Sequence, residues 1–302
     1  MATAKSRRKP RFKKHSLKRR LTYLLAATTA IALIGILAYS TLGPRNPPFV
    51  DYTPAVAIVD HLSIQWPDQN FLQTIQTILN ETSLKVEYYP NEDITVDFYR
   101  KLPSHNYKLI IFRVHSTAEC SAEGQPPYVV FFTSETYSTT KHVSEQLDMR
   151  LVYVNFPENE PPGYFGITPL FIEASMEGRL NDTIIISMGC DGLKENTMAE
   201  AFVEKGAKAY ISWNGSVSAS HTDEATTFLL RHLITENQTI KNAVKETMNE
   251  VGPDPVDKSI LMFYPDKAGT SFLLVNATIA APTVRAARKN NNEISRALPH
   301  HK

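Results

Sequence analysis

Residues 107–115 read YKLIIFRVH. The run is short, β-branched and aromatic, and it does not alternate with polar residues. Such a run reads as a strand covered on both faces, as in a parallel sheet. Similar runs flank it: AVAIV at 55–59, LKVEYY at 84–89, TIIISM at 183–188, AKAYISW at 207–213 and ILMFY at 260–264. Between them the spacing turns helical. Over 68–80, Phe71, Leu72, Ile75, Ile78 and Leu79 recur on one face. Further helices are expected over 94–102, 168–178, 198–205, 223–235 and 240–251. Residues 129–132 and 151–154 read as a hairpin or short extra strands. Strand–helix alternation of this kind predicts an α/β fold. Its form is a three-layer αβα sandwich on a mostly parallel six-stranded sheet, spanning 55–281.

In such sheets ligands bind beyond the carboxyl ends of the strands, near a switch in strand order. His115 follows the run 107–114, and Gly189-Cys190-Asp191-Gly192 follows 183–188. A thiol is a strong nucleophile once deprotonated, and an imidazole beside it can take its proton and return it to a leaving amine. Gly189 and Gly192 allow a sharp turn and a close approach of backbone N–H groups to a carbonyl. The blander readings are a buried Cys packed as a small hydrophobe and a His in a polar loop. A Cys120–Cys190 bridge, structural or redox-sensing, is a further alternative. No H-E-x-x-H, P-loop or G-x-G-x-x-G motif occurs, so zinc hydrolysis and nucleotide binding have no motif to rest on.

Strand-His followed by strand-Gly-Cys-x-Gly resembles the caspase-like (clan CD) cysteine peptidases: caspases, gingipains, clostripain, separase and the CHAT domains. Residues 206–247, GAKAYISWNGSVSASHTDEATTFLLRHLITENQTIKNAVKET, are similar to the segment after the catalytic Cys in CHAT and gingipain-type domains. There a Gly-Ala-x-Ala strand leads to a Trp-containing loop and two helices. The resemblance spans about 55–264 and implies a caspase-hemoglobinase-like fold. It implies that His115 is the general base and acid and Cys190 the nucleophile. The oxyanion hole would use the Cys190 amide, with Gly189 beside it, and an amide just after His115. The family has Gly at that last place; here it is Ser116, which keeps a backbone N–H. Ser212-Trp213 resembles the pair that aligns the peptide and lines a subsite, with Asn214 next to it. No metal and no cofactor are implied, and the partner is a peptide or protein substrate. Residues 121–180 fit an inserted hairpin and helix.

Asp60-His61 closes the first strand. With Asp191, Asp223 and Glu224 it would form an acidic specificity pocket favouring Arg or Lys. The alternative is that Asp223 and Glu224 are helix N-terminal carboxylates. His221 reads as a surface polar residue near a helix start.

The chain has 302 residues and a formal net charge of +1, but the charge is split. Residues 1–20 hold ten Lys/Arg and no acid, leaving 22 basic against 31 acidic side chains in the rest. This basic tip precedes 24 uncharged residues, 21–44, long enough to cross a hydrocarbon core of about 30 Å. A single-pass helix over 21–42 with the tip cytoplasmic and the body outside is the expected topology; a cleaved signal peptide is the competing one. Topology explains the basic tip, so no nucleic-acid partner is expected. Residues 43–54, rich in Pro, read as a stalk, and 282–302 as a disordered basic tail. Sequons at Asn80, Asn181, Asn214, Asn237 and Asn276 agree with an extracytoplasmic, glycosylated body. Two cysteines exclude a disulfide-dense scaffold.

Overall fold

The structure is a computed structural model that describes Thr29, residues 53–120, 127–155 and 163–272, without the side chains of Glu119 and Cys120. The expected tip, the spanning segment 21–42, most of the stalk and the basic tail lie outside the described residues. Among the described residues no helix is long and apolar enough to cross a membrane.

The first half of the domain follows the sequence closely. Strand β1 (Ala55–Asp60) leads to helix α1 (Gln69–Leu79), β2 (Lys85–Pro90), α2 (Val96–Lys101) and β3 (Tyr107–Arg113). Helix α1 starts where Asp68 caps it, accepting from Phe71 N at 2.8 Å. Its buried stripe is the one expected: Phe71, Leu72, Ile75, Ile78 and Leu79. Thr95 caps α2 in the same way.

After β3 come β4 (Ser116–Cys120), β5 (Tyr128–Thr136), α3 (Val143–Leu147), β6 (Leu151–Val154) and β7 (Tyr164–Ile167). They give a second, antiparallel sheet of order β4-β5-β7-β6, in which 129–132 and 151–154 are the extra strands of the second expected reading, each paired with β7 rather than with one another as a hairpin. Neither β4 nor β7 has a legible strand pattern. STAEC is polar, and YFGI holds a glycine, a poor strand former. Gly166 is needed there because a Cβ would lie 2.5 Å from Val130 Cγ1 and 2.6 Å from Val154 Cγ1.

Helix α4 (Pro169–Ala174), shorter than expected, leads to β8 (Thr183–Ser187), α5 (Thr197–Glu204), β9 (Ala207–Trp213), α6 (Ala219–Leu230), α7 (Ile240–Val251) and β10 (Leu261–Tyr264). Helix α6 begins four residues before the expected 223 and closes in a π-turn, Arg231–Thr235.

The main sheet has the order β10-β9-β8-β3-β1-β2, parallel except for β10. Alternate residues of the central strands feed two cores. Ala57, Val59, Ile110, Phe112 and Ile185 meet Tyr99 of α2, Phe171 of α4, Phe202 of α5 and the second sheet's Phe131 and Phe165. Val56, Ile58, Leu109, Ile111, Ile184 and Ile186 meet Phe71 and Ile75 of α1, Leu229 of α6 and Ala243 of α7. Helices therefore cover both faces, and the three-layer sandwich on a six-stranded, mostly parallel sheet is present. Each fully buried Ile or Phe contributes roughly 1.5–3 kcal/mol relative to exposure.

Candidate active site

The strand order reverses between β1 and β3, and the crevice opens at their carboxyl ends. Three segments converge there. After β1 a 3-10 turn, His61–Ser63, leads to Gln65 and Trp66. After β3 the chain passes through Val114 and His115 into β4. After β8, Met188 N still donates to Phe112 O at 2.8 Å, and the chain then turns through Gly189 and Cys190. The cleft, about 500 Å³, is lined by Leu62, Trp66, Val114, His115, Met188, Gly189 and Cys190. Its other wall is Val217–Ser220 and Thr222, at the start of α6. The imidazole and the thiol thus share one cleft.

The His115 ring lies 4.9 Å from the Trp66 ring, 5.9 Å from Phe132 and 5.8 Å from His61. Its Nε2 is 2.9 Å from Gln65 Oε1. Burial, with further help from His61 and Arg113, pushes its pKa down to about 3. It is therefore a neutral imidazole at any physiological pH. Cys190 is a free, half-buried thiol. The Val217 backbone brackets it: Sγ donates to Val217 O at 3.6 Å, and Val217 N donates to Sγ at 3.4 Å. Burial pushes the thiol pKa up, and Asp191, Asp257 and Asp254 add to the rise, against the Val217 bond. The resting pair is thiol and imidazole, not thiolate and imidazolium.

Gly189 is dictated by sterics. A Cβ there would collide with Ser116 Oγ and the Val114 carbonyl oxygen. Ser116 Oγ needs that space because it donates to Cys190 O at 2.6 Å. Ser116, considered in the sequence only for its amide, is thus also the side chain that fixes the Cys190 peptide.

The acidic pocket expected from Asp60, Asp191, Asp223 and Glu224 is not formed. Arg113, the last residue of β3, is only 1% exposed and lies between two of these acids. Its Nη1 donates to Asp60 Oδ1 at 2.9 Å. Its Nε and Nη2 donate to the two Asp223 oxygens at 2.8 Å each, and Nη2 also donates to Trp66 O. These partners hold the guanidinium pKa above its ordinary value although burial works against them. Asp191 is buried, with φ +61°; it accepts from Ala118 N at 3.3 Å and faces Lys194 Nζ at 3.5 Å. Glu224 lies in a separate depression of about 310 Å³, beside Asp68 and Asp223. An Arg within an apolar strand demands counterions, so the signal for this correction lay in YKLIIFRVH itself.

The expected subsite residues are also differently used. Ser212 is fully buried, and its Oγ donates to Ser187 O at 2.7 Å. Trp213 is 1% exposed, and its Nε1 donates to Thr222 Oγ1 at 2.9 Å, so its ring lines no subsite. The outer edge of β9 is taken by β10, with Trp213 opposite Leu261 and Ser212 opposite Met262. Asn214 receives Ile260 N at 2.8 Å. His61 is buried and lies behind His115 rather than in the cleft lining. His221 is buried, not on the surface; its Nε2 is 3.2 Å from Gly252 O. No protein-family model and no curated protein matches the chain.

Proposed function

We propose that the protein is a membrane-anchored, extracytoplasmic cysteine endopeptidase of the caspase-like type, with Cys190 as nucleophile and His115 as base. The observation that carries this reading is the opening of both groups on one cleft at the reversal of strand order. Because both groups rest neutral, the proton moves during attack. The Cys190 thiol gives its proton to the imidazole as the S–C bond forms with the peptide carbonyl. The amides of Gly189, Cys190 and Ser116 are the candidate donors for the oxyanion. As the C–N bond breaks, the imidazolium protonates the leaving amine. Water then attacks the thioester, the imidazole takes a water proton, the acid departs and the thiol reforms. Outward orientation rests on the basic tip before residues 21–42.

Turnover of a quenched-fluorescent peptide library by the purified protein tests this. Cys190→Ala abolishes turnover, and His115→Ala lowers it by about 10²–10⁴-fold. Unchanged turnover in Cys190→Ala excludes this nucleophile. A non-catalytic binding domain is the second reading, favoured by the raised thiol pKa and the Val217 clamp. It requires that no peptide be cleaved and that Cys190 alkylate at the rate of an ordinary buried thiol.

A further inference from the structure

The cleft's chemistry limits what side chain it can take, and this inference rests on the peptidase reading. Six of its lining residues, Leu62, Trp66, Val114, Met188, Val217 and Ala219, are apolar or aromatic. None of its lining residues is an acid, a lysine or an arginine. Of the charged groups around it, Arg113 binds Asp60 and both oxygens of Asp223, Asp191 faces Lys194, Asp254 is held by Ser218 N and Oγ, Val256 N and Asp257 N, and Asp257 is exposed to solvent. A guanidinium or ammonium brought into the cleft would lose its hydration and meet no unmatched carboxylate among the lining residues. A carboxylate would meet no cation there. Trp66, one of the lining residues, is 43% exposed and leaves apolar surface in water at the cleft. A volume of about 500 Å³ admits an aliphatic or aromatic side chain.

We infer that the cleft is a specificity pocket for an uncharged, apolar side chain, so that cleavage follows residues of the leucine or phenylalanine class rather than Arg, Lys or Asp.

The test uses the full chain and peptidyl acyloxymethyl ketones that differ only in the side chain next to the reactive carbon: Leu, Phe, Arg, Lys or Asp. Reaction forms the S–C bond to Cys190 and breaks the C–O bond, and the thiol proton leaves with the released carboxylate as carboxylic acid. Mass spectrometry follows the adduct, with Cys190→Ala as the zero. The Leu and Phe probes label at least about tenfold faster than the charged ones, the gain expected from burying one such side chain. Equal rates, or fastest labelling by Arg, Lys or Asp, overturn the inference while leaving the peptidase reading standing. If iodoacetamide modifies Cys190 but no peptidyl probe does, the peptidase reading fails and the inference falls with it. Ala219→Asp supplies an independent check. Ala219 is the first residue of α6, where an acid suits the helix N-terminus, so the variant keeps its stability. The Arg probe gains about tenfold relative to Leu in this variant. An unchanged preference shows that the cleft does not read that side chain.

Discussion

Arg113 organises the floor of the site although the cleft does not expose it. The guanidinium, 1% exposed, spends Nε, Nη1 and Nη2 on Asp60, Asp223 and Trp66 O. It also lies 5.6 Å from the Phe71 ring centroid. It therefore ties the end of β3 to the ends of β1 and the start of α6, the segments that carry His115, Trp66 and Thr222. Arg113→Met leaves two buried carboxylates unpaired and costs about 3–5 kcal/mol. Adding Asp60→Asn and Asp223→Asn to that variant removes the unpaired charges and recovers most of the loss. Urea midpoints of the single and triple variants measure this; a triple variant no more stable than the single one would show that charge pairing is not the source. The sequence already named both acids, and it placed Arg113 in the same run as His115. What it lacked was distance. Asp60 and Asp223 are 163 positions apart, and only the packing of α6 behind β1 and β3 brings both to one cation. Gly189 and Ser116 show the same limit: each is one residue in a turn, and their mutual fit appears only once β4 runs beside that turn.

At the scale of elements, the wall opposite His115 depends on a loop that α7 and β10 hold in place. Asp254, fully buried, accepts from Ser218 N at 2.9 Å and Ser218 Oγ at 2.8 Å. It also accepts from Val256 N and Asp257 N at 2.9 Å each. Burial alone would raise its pKa, but these donors hold the carboxyl far below the usual range. Ser218 adjoins Val217, whose backbone grips the Cys190 thiol. Asp254→Ala releases that grip. Ordered charge-assisted bonds of this kind contribute roughly 1.5–3 kcal/mol each where they are not exposed. Amides 216–220 then exchange with deuterium faster, and iodoacetamide reacts with Cys190 several-fold faster than in the wild-type chain. Unaltered exchange there would show that the loop is held by something other than Asp254. The helices and main strands were readable because their stripes are long and apolar. This wall was not, because loop 252–260 has no periodicity and acts through one carboxylate. The early start of α6 was hidden for a related reason: Ser218 precedes the helix, yet its hydroxyl goes to Asp254 instead of capping.

The acid stability of the domain depends on two histidines that meet edge to face, His115 in the cleft lining and His61 behind it. Burial pushes His61 down to about 4, opposed by its bond to the Thr133 backbone, and pushes His115 down to about 3. In the unfolded chain both titrate near 6.5. Above that pH neither state is protonated, so their contribution to stability is constant. Between 6.5 and about 4 the unfolded chain takes up protons that the folded chain refuses, and stability falls as pH falls. From pH 7 to pH 5 the loss is about 2 kcal/mol for each histidine. Glu87 works in a separate window. Burial opposes its ionisation, but Lys85, Tyr107 and Tyr89 bring its pKa down to about 2. Its contribution is complete above about 4.5 and is lost only below that. Urea unfolding at pH 7 and pH 5 therefore leaves Glu87 out and reads the histidines against Asp223, whose carboxyl burial pushes up and which works in the opposite direction; His61→Gln removes about half of the histidine contribution. On the proposed peptidase reading the same low His115 pKa sets the pH profile: the base would already be neutral at pH 5, so turnover shows no acid limb between pH 5 and 7 once unfolding is excluded. A bell-shaped profile with an acid limb near 6.5 would mean that His115 is solvated in the working enzyme. The cleft would then open further in solution than its closure around Trp66 and Val217 allows.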